Sequence, residues 1–179
     1  MVFIIAVYES RNSRSRYFLD ISLLFLFSIL LEYLGVKSQK IFGAYSYKDS
    51  VLGWQILGIP LLIGINWVSL ILSSSAFVYF IKPFRQWNVL FRALLSALFM
   101  TFMDFLLEPV AIFFHFWTWN SGKIVPMQNY LAWFLFSFLF QWFFQFRNTI
   151  KENIVLMVLY ISQGIFFLAL NMAIYFSLV

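Results

Sequence analysis

The stretch Asn88 to Trp117, NVLFRALLSALFMTFMDFLLEPVAIFFHFW, decides the fold. At about 1.5 Å per helical residue it is long enough, and apolar enough, to cross a bilayer core roughly 30 Å thick. Yet it carries Asp104, Glu108 and Pro109 near its middle. A charged side chain at that depth costs about 3 kcal/mol even on lenient scales, so an intramembrane acid points to function by default. At roughly 100° per residue, Thr101, Asp104, Glu108 and His115 share one stripe, with Ile112 between the last two. Both carboxyls then lie on one face, a turn apart. Pro109 lacks a backbone donor and frees the carbonyl of Phe105, so a kink is expected beside the acids. Two carboxyls this close in low dielectric cannot both ionise cheaply, and an acid that keeps its proton is a proton donor.

Working outward, the remaining chain is of the same kind. Of 179 residues, 63% are hydrophobic, 23% aromatic and 11% charged, more apolar surface than a soluble domain of this size can bury. The apolar runs are continuous and near twenty residues, which excludes the alternating ten-residue segments of a β-barrel. The expected fold is an all-α, polytopic membrane helix bundle. The net charge of +5 is no nucleic-acid footprint, because the basic residues lie between the apolar runs, where they meet lipid head groups. Without cysteine and with His115 as the single histidine, a zinc or iron–sulfur site is not expected. An acid-rich magnesium motif is absent too, and no cofactor is expected.

Five full spans can be drawn: Tyr17 to Val36, Trp54 to Phe80, Asn88 to Trp117, Met127 to Phe146 and Ile154 to Val179. They form one domain, 17–179. Residues 1–16 form a separate N-terminal segment whose apolar part, Val2 to Tyr8, is too short to span and lacks the features of a signal peptide. Eight basic residues lie on the N-terminal side of the membrane (Arg11, Arg14, Arg16, Lys82, Arg85, Arg92, Arg147, Lys151) and four on the other (Lys37, Lys40, Lys48, Lys123). The positive-inside rule then puts the N-terminus in the cytoplasm.

The polar residues converge on the opposite half. Counting helical rise, Glu32 lies about 6 Å below the non-cytoplasmic boundary, Glu108 about 14 Å, and Asp104 and Asn66 about 18–20 Å. The loop with Tyr45 and Tyr47 lies on that side, as do Trp117, Trp119, Gln128 and Asn129. The cytoplasmic half reads as mostly Leu, Phe and Ile. A structural reading competes, since a buried glutamate can bond Tyr or Trp and hold helices together. Two acids on one face, with Glu32 and Asn66 on two further helices, favour chemistry. His115 reads as a helix-end residue, and most Trp and Tyr near span ends read as interfacial anchors.

Six ordered motifs carry a resemblance: LEYLGV (Leu31 to Val36), FGAYSY (Phe42 to Tyr47), GIPLLIGINW (Gly58 to Trp67), DFLLEPVA (Asp104 to Ala111), FWTW (Phe116 to Trp119) and MQNYLAWF (Met127 to Phe134). Over these the chain resembles the membrane-bound carotenoid biosynthesis proteins of bacteria and archaea, the group that includes bisanhydrobacterioruberin hydratases and carotenoid 1′,2′-hydratases. Members usually begin with at least one more hydrophobic helix, which here is missing or reduced to Val2–Tyr8. The resemblance implies a bacterial or archaeal cytoplasmic membrane, a linear carotenoid or other polyisoprenoid as substrate, and other carotenoid-pathway enzymes as neighbours.

A hydratase of this kind protonates a terminal C=C to a tertiary carbocation and then delivers water. Asp104 or Glu108 would be the acid, with Glu32 positioning water or taking its proton. Tyr45, Tyr47, Asn66 and Asn129 would order the pocket, and Trp67, Trp117, Trp119 and Trp133 would wall it and face a cation with their rings. A lycopene-type cyclase shares the first step, and a non-enzymatic carrier would bind through the same residues. Proton-coupled transport fits less well, because no inverted repeat is visible.

Overall fold

The computed structural model describes residues 14–48, 51–149 and 152–178. Val2–Tyr8, Arg11 and Lys151 lie outside them. Among the described residues are six helices: α1 (Arg14–Ser38), α2 (Leu61–Phe80), the single turn α3 (Lys82–Arg85), α4 (Val89–Phe113), α5 (Met127–Phe146) and α6 (Ile154–Tyr175). Four short strands, β1 (Tyr45–Tyr47), β2 (Gln55–Ile56), β3 (Ile59–Pro60) and β4 (Trp117–Trp119), form two small antiparallel ribbons, β1 with β4 and β2 with β3. The molecule is an all-α membrane bundle.

Four helices are both long and apolar enough to cross a membrane: Ser15–Ser38, Leu61–Phe80, Val89–Phe113 and Ile154–Tyr175. The fifth expected span, α5, has the 20 residues of α2 but falls outside this set. Its polar residues explain why. Asn129, Ser137, Gln141 and Gln145 recur every fourth or eighth residue, form one stripe and are all buried against the bundle.

Two expected boundaries are corrected. The second span starts at Leu61, not Trp54. Residues 54–60 turn back on themselves as β2 and β3, and Pro60 sits in extended conformation as the N-cap. The third span ends at Phe113, not Trp117. His115 adopts a left-handed φ of 56°, and the Phe116 amide donates to the Ala111 carbonyl at 2.9 Å, the bond that closes a helix C-terminus. His115 therefore leaves the Asp104–Glu108 stripe and is exposed. The helix runs on past Pro109 for a further turn.

Packing is pairwise: α1 along α2, α2 along α4, α4 along α5, with α6 across α2 and α4. Gly64 lets α1 approach α2, since a Cβ there would stand 2.7 Å from the Phe25 ring and 2.9 Å from Ile29. The half of the bundle that holds Arg16 and Arg147, expected to be mostly Leu, Phe and Ile, is less apolar than that. Gln141 donates to Ser74 and to the Ile71 carbonyl, and Gln145 to Ser75 and Ser96. At the same end Arg147 clasps the fully buried Asp20 with two nitrogens (2.8 and 3.1 Å), and Thr149 donates to the same carboxylate. Such side-chain bonds do between membrane helices what apolar burial cannot, because lipid is as apolar as leucine.

Candidate functional site: a roofed acid cavity

The site is built from the strand ribbon downward. β1 and β4 pair antiparallel, with Tyr45 opposite Trp119, Ser46 opposite Thr118 and Tyr47 opposite Trp117. Side chains alternate across a strand, so the four aromatics share one face and the two hydroxyl residues the other. The aromatic face covers the bundle interior, with Tyr45, Trp117 and Trp119 buried. Ser46 and Thr118 are exposed, their hydroxyls 3.3 Å apart.

Each strand serves one glutamate. Tyr45 and Tyr47 of β1 donate their phenol protons to Glu32 Oε2, at 2.6 and 2.8 Å, and Trp67 of α2 donates its indole proton to Glu32 Oε1 at 2.8 Å. Trp117 and Trp119 of β4 donate theirs to Glu108 Oε2, at 3.1 and 3.0 Å. Asn129 of α5 donates to Glu108 Oε1 at 3.2 Å and to Asp104 Oδ2 at 2.9 Å, while Asp104 Oδ1 has no protein partner. Glu32, Asp104, Glu108 and Asn129 are all buried. Six neutral donors thus surround three carboxyls. Burial, followed by the adjoining Glu32 carboxyl, pushes the phenols of Tyr45 and Tyr47 well above their ordinary value, so both stay protonated as donors.

Beneath the ribbon lies a cavity of about 20 Å³, lined by Glu32, Tyr45, Tyr47, Asn66, Glu108, Asn129 and the aromatic rings of Trp117, Trp119 and Trp133. That is room for about one water. No lysine, arginine or histidine lines it. Two residues expected at the site stand behind its wall. Asp104 reaches it through Asn129, and Trp67 through Glu32 and a stack on Trp133 (ring centroids 4.3 Å apart, 19° between planes). Phe42, Ile63 and Leu107 line the cavity but were not expected there. Phe42 lies in the FGAYSY motif, three residues before Tyr45. Among the described residues no three His, Asp or Glu side chains gather as metal ligands do.

Fold and site together define a polytopic helical membrane protein with an acid-bearing, aromatic-walled cavity toward one end of the bundle. The chain matches the family model of carotenoid biosynthesis proteins over residues 1–179, and it belongs to that family. No curated protein and no solved structure matches it. Family membership places the chain in the membrane-bound part of carotenoid synthesis.

Proposed function

We propose that the protein is a hydratase that adds water across a terminal C=C of a linear carotenoid without a cofactor. The carrying observation is that Glu108, Glu32 and the Asn66 amide face one water-sized cavity walled by aromatic rings and free of basic side chains. Glu108 gives its proton to the terminal alkene carbon. The π bond breaks, a C–H bond forms, and a tertiary carbocation remains. The rings of Trp117, Trp119 and Trp133 and the neighbouring carboxyls favour that charge, and no fixed cation opposes it. The water beside Asn66 attacks the cation, a C–O bond forms, and the extra proton passes to Glu32. Return of that proton to Glu108 restores the site, and the net change is one water added.

Asp104 supports Glu108 from behind, since the two share Asn129. A lycopene-type cyclase would begin with the same protonation, but ring closure needs a pocket that excludes water, whereas carboxyl and amide groups able to hold a water line this one. A carrier would hold the carotenoid unchanged. Expression in a lycopene-producing host, in water enriched in ¹⁸O, tests the proposal. A tertiary alcohol carrying the heavy oxygen is expected. A ring without label, or unaltered pigment, overturns it.

A further inference from the structure

The cavity has room for one water, so most of any carotenoid must lie beyond its walls. The walls differ. α1 lies tight on α2 through Gly64, α2 packs on α4, α4 packs on α5, and the β1–β4 ribbon covers the top. Between α1 and α5 the helices do not pack along their length. They are tied at their ends instead. At the cytoplasmic end Asp20 holds Arg147 and Thr149, and at the other Gln128 donates to the Lys40 carbonyl. Both helices leave large apolar side chains exposed, Leu26 and Leu30 on α1 and Leu135 and Leu139 on α5, as helices that meet lipid do, and lipid is where an apolar polyene dissolves.

One ring stops the seam beside the acids. Phe42, on the loop between α1 and β1, is buried against Phe136 of α5 (ring centroids 6.4 Å), Trp67 of α2 (6.5 Å) and Tyr45 (6.2 Å), and it lines the cavity. Gly35 of α1 makes room for it, since a Cβ there would stand 2.5 Å from the ring. Gly43, the next residue, has a φ of 109°, a conformation other residues rarely adopt, so the backbone beside Phe42 is built around a glycine.

We propose that the α1–α5 seam is the portal and resting groove for the polyene arm of the substrate, and that Phe42 is the door that decides which chain ends reach the acids. The proposal rests on a carotenoid substrate but not on hydration, because a cyclase or a carrier would need the same entrance. The chain end displaces the Phe42 ring and takes its place against Trp67 and Phe136, while the rest of the polyene lies along the seam in contact with lipid. A long apolar chain has no comparable route through the polar, hydrogen-bonded ribbon.

The absence of native cysteine makes the test direct. Lys40→Cys with Gln128→Cys, bridged by a short disulfide-containing bismaleimide, holds the seam shut. Phe105→Cys with Tyr130→Cys, whose native rings lie 5.8 Å apart across the packed α4–α5 pair, is the control. Lycopene in phosphatidylcholine vesicles is the probe, and induced circular dichroism of its visible band reports binding whatever the chemistry. Bridging the seam is expected to lower both binding rate and conversion roughly tenfold or more, with recovery on reduction, while the bridged control is unchanged. Phe42→Ala, or Phe42→Leu if the first does not fold, is expected to admit carotenoids with ring-closed ends that the wild type rejects. Undiminished binding with the seam bridged, or equal loss in the control, overturns the portal. Seam-dependent binding without a hydrated product upholds it and removes hydration instead.

Discussion

The side-chain nitrogen of Asn129 stands 2.9 Å from Asp104 and offers its second proton to Glu108, 3.2 Å away. One amide thus serves two acids a helical turn apart, and it makes them unequal. Glu108 faces the cavity, whereas Asp104 is enclosed behind it with one oxygen unpartnered.

The two acids should therefore respond differently to removal of their proton. Glu108→Gln is expected to stay folded and to lose about 10²–10⁴-fold in conversion, the usual worth of a positioned general acid. Asp104→Asn, which can still accept from Asn129, should lose distinctly less. Pigment conversion normalised to folded protein distinguishes them, and equal rates in Glu108→Gln and wild type would remove Glu108 from the proton-donor role.

The ribbon phenols carry a pH signature. Their ordinary value is about 10, and the fold raises both. Between the unfolded and folded values the native state binds more protons than the unfolded chain, so stability is full below about pH 10 and falls as pH rises further. The slope should approach roughly 1.4 kcal/mol per pH unit for each phenol. Tm measured in detergent from pH 9 upward should fall less steeply in Tyr45→Phe/Tyr47→Phe than in wild type.

Topology is tested by labelling. Ser46, on the outer face of the ribbon, is exposed, as is Gln86 at the opposite end of the bundle. A cysteine at Ser46 should react with an impermeant maleimide from the non-cytoplasmic side, and one at Gln86 from the cytoplasm, as the basic-residue bias requires. The reverse pattern would invert the orientation.

Packing at the α1–α2 contact has little slack. Gly64→Ala drives a methyl to within 2.7 Å of Phe25, and overpacking of this kind costs about 1–3 kcal/mol. Lowered thermal stability is expected, with partial recovery when Phe25→Leu is added. An unchanged Tm would show that the helices can slide apart freely.

Arg147 should matter more than its partner. Arg147→Met leaves Asp20 buried without its cation, a loss of about 3–5 kcal/mol. Asp20→Asn combined with Arg147→Met should recover much of it, as read by thermal unfolding of the two variants against the wild type.

Much of this was legible because membrane helices announce themselves through continuous apolar runs, and because intramembrane acids are rare enough to mark a site. Glu32, Asn66 and Glu108 fell in one half of the bilayer by rise per residue, Asn129 by the side on which its span begins, and the structure brings the four to one cavity. What was missed has physical causes. Trp117 was read as the end of the third span, because a left-handed histidine leaves no apolar-pattern signal where the helix stops. The β1–β4 pairing joins segments some seventy residues apart, and nothing local specifies that register. The Gln141 and Gln145 layer was passed over because single amides among phenylalanines look minor until Ser74, Ser75 and Ser96 arrive from other helices to meet them. Phe42 was invisible as a site residue for the opposite reason: among 25 phenylalanines, one more carries no information.

The buried stripe on α5 has a consequence for biogenesis. A helix leaving the translocon partitions into lipid by its own sequence, and α5 carries Asn129, Ser137, Gln141 and Gln145 in a segment less apolar than its neighbours. Asn129, Gln141 and Gln145 have partners on α2 and α4, both synthesised earlier. Insertion of α5 is thus helped by helices already waiting in the membrane. The same event carries Asn129 up to Asp104 and Glu108, so the step that inserts α5 also assembles the acids.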